Sequence, residues 1–203
     1  MCENCKERRF GTPRDVIHFG PYTWRVLEER DGKVLLLCEE IVERRAYHGK
    51  FKPVTWETCT LRAYLNRGFL DKFSPEECAR IALTRNENPD NTWGIINGER
   101  FDVPGGNPTN DHIFLLSVPE ILKYFPGLKL HKDSDGDKWW YEAEERLAVK
   151  FNNNRSWWWL RSPGNLQYYA ALVSGDGGVD LGGSGVMYGT GGVRPALWLN
   201  LEL

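Results

Sequence analysis

With 203 residues, 41% of them hydrophobic and 13% aromatic, the chain can bury one substantial core, and its aromatic load argues against a plain helix bundle. A formal net charge of -2 at pH 7 argues against a nucleic-acid-binding surface, because neutralising phosphates needs a basic excess. Five cysteines are an odd number for a disulfide framework and none follows Cys78, which fits a cytoplasmic or virion-associated protein.

Residues 1–10 are charged and carry no apolar segment, so no secretory signal is expected there, and no later segment is apolar enough for membrane insertion. Cys2 and Cys5 form one CxxC; with no second ligand pair at suitable spacing it reads as two ordinary thiols on an N-terminal extension, residues 1–15. The domain proper is expected over 16–203. "YTWRVLEERDGKVLLLCEE" predicts an antiparallel hairpin turning at Asp31-Gly32, a pair suited to positive φ angles. "CTLRAYLN" sets Leu61, Tyr64 and Leu65 at helical spacing, with Gly68 offering a stop. "FSPEECARIAL" opens with a capping box from Ser74 to Glu77 around Pro75, and "LLSVPEILKYFP" repeats the device with Ser117 and Glu120 before Pro126 ends the helix. The Asn-, Gly- and Pro-rich run between them predicts a long surface excursion with a small hairpin at Asn97-Gly98. "WWWLRSP" and "PALWLNLEL" predict buried strands, so the glycine-rich "VSGDGGVDLGGSGVMYGTGGVRP" between them is neither a linker nor a tail.

That stretch also lacks the phosphate-binding spacings: Asp180, Tyr188 and Arg194 stand where the third glycine of GxGxxG would fall. His18, His48, His112 and His131 are scattered. Asp133, Asp135, Asp137 and Glu144 suggest a calcium loop, but Lys138 occupies the sharp-turn glycine position, so a solvated acidic turn is expected and no metal or other cofactor. An enzyme using a cleft near His112 or Asp133 is the rival reading.

Between Gly164 and Gly192 there is no lysine or arginine, and Asp176 and Asp180 are the only charges. Ala170, Ala171, Val173, Val179, Val186 and Val193 suit inward positions of short strands. The residues between them, Leu166, Tyr168, Tyr169, Leu172, Ser174, Gly175, Asp180, Leu181, Ser184, Met187, Tyr188 and Thr190, would then face out. Tyrosine, serine and glycine with a few aliphatics is a recognition palette, since tyrosine gives contact area at small entropic cost. A glycine-rich core with its tyrosines packed inside fits the composition equally well.

"WWWLRSPG", "AALV", "DGGV" and "GGVRPALWLNL" resemble the C-terminal part of variable proteins diversified by retroelements, whose fold is like that of C-type lectins and of the formylglycine-generating enzyme. "FGPYTWRVLEERDGKVLLLCEEIVERRAY" and "TWETCTLRAYLN" resemble the N-terminal half of a bacterial and phage domain that carries such C-termini. The resemblance runs from about Phe19 onward and is most specific at LRSPG and GVRPAL. It implies an α+β, C-type-lectin-like fold with short helices, an antiparallel sheet and an irregular short-stranded C-terminal lobe. It implies a ligand-binding protein with a variable region at about 165–192, whose partner is an unidentified protein or surface molecule; a structural or assembly protein of a phage particle is the alternative. The frame would be Trp158 to Gly164, Ala170, Ala171, Val173, Gly177, Val179, Val186 and Val193 to Ala196. The outward residues would be rewritten at the adenines of asparagine codons, which never yields Lys, Glu, Gln, Trp or Met; Met187 departs from that rule. Formylglycine-generating chemistry is not implied, because its cysteine pair has no counterpart after Cys78.

Overall fold

The computed structural model describes residues 15–96, 99–134 and 138–201. Among these the strands form two larger sheets and three two-stranded ladders, with short helices between them, giving a mixed α+β domain of mostly antiparallel pairing. One sheet runs Val16–Phe19, Tyr22–Arg30, Lys33–Cys38, Ala196–Asn200 and Ile113–Phe114. The strand Ala196–Asn200 thus pairs with an early one, Leu197 opposite Leu36 and Trp198 opposite Leu35. Asp31 and Gly32 carry φ of 52° and 68°, the left-handed pair that closes a tight hairpin between Arg30 and Lys33.

The second sheet runs Leu130–Lys132, Trp139–Tyr141, Val179–Gly185, Tyr169–Val173, Trp158–Pro163, Gly192–Val193 and Glu43–Arg44. Among the described residues its only parallel pairing is Trp158 with Gly192. Every residue of Trp158–Pro163 is buried. Both capping boxes form: Ser74 with Glu77 starts Pro75–Arg80, and Ser117 with Glu120 starts Val118–Tyr124. The stop expected at Gly68 is corrected: Thr60–Tyr64 continues through a π turn, Leu65–Phe69, and a 3-10 turn, Leu70–Lys72. Burial of Leu65 and Phe69, the latter stacked on Tyr22 at 5.3 Å, outweighs the glycine's cost of about 1 kcal/mol in a helix.

The surface excursion is corrected too. Thr84–Asn86 pairs with Thr109–Asp111, and Asn86, Asn91, Thr109 and Asp111 are buried, whereas the small hairpin forms as expected, Asn91–Ile96 pairing with Glu99–Val103. The Asn97-Gly98 turn itself lies outside the described residues. Asparagines serve here as internal struts: Asn91 Nδ2 donates to the carbonyls of Pro163 at 3.0 Å and Leu181 at 2.9 Å, tying this segment to the glycine-rich strands. Asp111 accepts from Trp56, Arg62, Asn86 and Thr109. The buried indoles of Trp24, Trp158 and Trp159 likewise donate to the carbonyls of Phe19, Leu147 and Arg45.

Cys38 and Cys59 are buried thiols, pushed up by burial to about 11 and about 12, and Cys78 is also free. Cys2 and Cys5 lie outside the described residues. No helix among the described residues is long and apolar enough to cross a membrane.

Candidate binding face

The C-terminal surface is built on the hairpin Tyr169–Val173 with Val179–Gly185, laid against the buried strand Trp158–Pro163. Every position expected in the frame is buried. Arg161, 4% exposed, makes a bidentate pair with Glu120 and donates to the carbonyls of Leu115 and Glu87, while its own carbonyl accepts the Tyr47 hydroxyl at 2.9 Å. Arg194 is buried over the Trp158 ring at 5.0 Å and donates Nε–H to the Cys38 carbonyl at 2.7 Å. Burial pushes Arg194 down to about 10, which leaves it charged at neutral pH.

Not every glycine here is exchangeable. Gly183 has φ of 72°, and a Cβ there would lie 2.0 Å from the Ala170 carbonyl oxygen, whereas Gly189 faces open space. Gly183→Ala should cost more than about 1 kcal/mol, and Gly189→Ala no more than about 0.5 kcal/mol. Urea unfolding midpoints at matched slopes check the contrast.

Of the residues expected to face out, Met187, Tyr188 and Thr190 are exposed, and Leu166, Tyr168, Tyr169, Ser174, Gly175, Asp180 and Ser184 are half-buried. Leu172 and Leu181 are corrected: they are buried, at 8% and 1% exposure. Leu181 lies two residues beyond the inward Val179 on one strand, so alternation turns it inward as well. It lines a small cleft of about 160 Å³ with Trp93, Tyr141 and Val118. Leu172 is held between Trp159 and Asp180 by pairing on both sides.

The remaining residues separate toward the two ends of the hairpin. At the Tyr169–Gly185 end, Tyr168 packs on Tyr169 at 5.4 Å and on Phe51 at 4.8 Å. A Cβ on Gly185 would touch both the Tyr188 ring, at 3.0 Å, and the Phe51 ring, at 3.2 Å. Gly185 is therefore the floor of an aromatic cluster that Met187 and Tyr188 extend into solvent, at 50% and 57% exposure. Phe51, 53% exposed, was not among the expected site residues. Its signal in the sequence is an aromatic residue set between two lysines in "HGKFKP".

At the turn end, Ser174 and Asp180 line a cleft of about 330 Å³ with Asp133, Lys138, Trp140 and Asp176. The Ser174 hydroxyl and the Gly178 N–H hold the Asp176 carboxyl below its ordinary range. Asp180 Oδ1 accepts from the N–H groups of Gly182 at 2.9 Å and Gly183 at 3.1 Å. The calcium reading does not gain here: Asp135 and Asp137 lie outside the described residues, Glu144 is ion-paired with Arg146, and no group of three metal-ligating acids, cysteines or histidines occurs among the described residues. His112 uses Nδ1 on the Ile81 carbonyl at 3.1 Å.

His48 lies buried beneath the aromatic end and accepts the Thr60 N–H on Nδ1 at 3.3 Å. Burial, then Lys52 and Lys50, lowers its pKa from the ordinary 6.5. Below 6.5 the unfolded chain binds this proton more readily than the folded one. Its contribution to stability is therefore complete above that value and declines as pH falls through the window beneath it. His48→Gln should lose less stability than the parent between pH 7 and about pH 5; equal losses in denaturant titrations would contradict the assignment.

These features define an α+β domain in which a buried, tryptophan-rich strand carries a largely buried hairpin edged by half-buried tyrosine, serine and glycine. By its sequence the chain belongs to the family described as "Domain of unknown function (DUF6273)", whose model matches residues 31–201. No curated protein and no solved structure matches the chain.

Proposed function

We propose that this domain is a ligand-recognition protein, not an enzyme, with a C-type-lectin-like fold whose C-terminal surface is rewritten by a retroelement. The observation that carries the reading is the partition between frame and face. The positions assigned to the frame are buried, while Tyr168, Tyr169 and Tyr188, the expected contact anchors, are all at least partly exposed. Frame side chains with fixed polar duties, Arg161 and Arg194 above all, let the outward side chains change without moving the backbone. A rigid frame also limits the entropy lost on binding.

Gln167 is a residue that adenine replacement in an asparagine codon cannot produce. Gln167 Nε2 donates to the carbonyls of Val54 at 3.2 Å and Pro104 at 3.1 Å, a structural duty that suits a fixed position. Met187, equally unreachable, then reads as a constant apolar contact within the face.

The test is the DNA beside the gene. The reading expects a near-copy of the segment encoding about 165–192, differing mainly at adenines, next to a reverse transcriptase gene. A completed locus with neither element sinks the retroelement part of the proposal.

A further inference from the structure

We propose that the loop formed by residues 49–53 is a constant part of the recognition face and selects acidic protein partners, Phe51 meeting an apolar side chain while Lys50 and Lys52 meet carboxylates. The inference rests on the recognition reading above, and it assigns to the face a fixed element outside the exchangeable stretch.

The loop is stitched at both ends to that stretch. His48 N–H donates to the Val186 carbonyl at 2.8 Å, and Val54 N–H donates to the Gln167 carbonyl at 2.9 Å. Between these anchors residues 49–53 are all exposed. Phe51 therefore does not wander over the surface: its ring sits 4.8 Å from Tyr168 and 6.5 Å from Tyr169, over the floor at Gly185. A half-exposed Phe in contact with half-exposed tyrosines leaves apolar area in water that a partner would cover.

Charge narrows the partner. Lys50 and Lys52 are exposed, and among the described residues neither forms an ion pair. Lys52 and Lys50 also lie close enough to the buried His48 to lower its pKa. The acids of the exchangeable stretch, Asp176 and Asp180, lie by the other cleft. Asp180 pairs with Leu172, three residues along from Tyr169, which is about 10 Å of strand. The aromatic end is thus cationic, and positive rims favour negative partners in both encounter rate and choice.

Ring geometry decides between a protein and an acidic saccharide. Phe51 and Tyr168 are inclined at 58°, Tyr168 and Tyr169 at 77°, and Phe51 and Tyr169 at 57°. No two of these rings share a plane, so they offer no joint platform for a stacked sugar ring. Edges and gaps between rings suit an inserted side chain, the usual anchor of a protein interface.

The test measures binding of the full chain to a random Glu/Tyr copolymer, with a Lys/Tyr copolymer and alginate as comparison probes. The expected result is binding to Glu/Tyr alone, weakened about tenfold by Phe51→Ala and by the pair Lys50→Glu with Lys52→Glu, and weakened by added salt. All three substitutions are at exposed positions, and unchanged melting curves confirm that the variants fold. Tyr168→Ser with Tyr188→Ser separates the two readings. Loss in both sets supports both; loss only in the loop variants supports the loop and removes the exchangeable face from recognition. Absence of Glu/Tyr binding, binding unaffected by the loop variants, equal binding of Lys/Tyr, or preference for alginate overturns the inference.

Discussion

Asp111→Ala should cost about 3–5 kcal/mol, the range for stripping one partner from a buried charged network, and a loss of that size takes away much of an ordinary domain's stability. Asp111 is fully buried and accepts from the Trp56 indole, the Arg62 guanidinium, the Asn86 amide and the Thr109 hydroxyl. Alanine leaves the buried Trp56 and Asn86 donors without acceptors and Arg62, which is partly exposed, facing a cavity. Asp111→Asn is expected to recover only part of the loss, because an amide offers one accepting oxygen and turns two new donors toward groups that already donate. Equilibrium urea unfolding of the three proteins checks both statements. A loss under about 1 kcal/mol for Asp111→Ala would show that water replaces the carboxylate at small cost.

Arg161→Met should have a comparable effect, again about 3–5 kcal/mol, because it removes the pairing of one guanidinium with Glu120 and with the carbonyls of Leu115 and Glu87. The change reaches further than one pair. Glu120 also accepts the Ser117 N–H at 2.7 Å, closing the capping box of Val118–Tyr124, so an unpaired Glu120 is freer to swing toward water and fray that helix. Arg161→Lys should rescue little, since a point ammonium cannot span the carboxylate and two carbonyls that the planar fork reaches. A double-mutant cycle with Glu120→Gln isolates the coupling, and additive losses would contradict the pairing. Hydrogen exchange along 118–124 should rise in Arg161→Met.

Local chemistry was readable in the sequence. Asp31-Gly32 needs only its own φ angles to make a hairpin, and each capping box needs only a serine and a glutamate three residues later. The strands in "WWWLRSP" and "PALWLNLEL" and their burial followed from their apolar runs. The misreadings share a different cause, long-range contact. Gly68 fails to end its helix because Phe69 is held by Tyr22, more than forty residues away. The Asn-rich run reads as surface because nothing local marks Asn91 as a strut under Pro163 and Leu181. Leu172 and Leu181 fall in the outward set because they lie between the small residues assigned inward, but alternation from Val179 turns Leu181 inward and pairing on both flanks covers Leu172. Phe51 carries a local signal, an aromatic residue between two lysines, but nothing local joins it to the site, because its partners, Tyr168 and Tyr169, lie more than a hundred positions along the chain.

The central claim is that side chains at this surface are exchanged while the frame beneath them is kept. Sequencing the gene from many independent clones of one lineage tests it most directly. The account expects changes to concentrate at the codons of Tyr168, Tyr169, Ser184, Tyr188 and Thr190, and to be absent from those of Trp158, Arg161, Gly183 and Arg194. Changes spread evenly along the chain, or falling as often on the buried frame as on the exposed face, would contradict it.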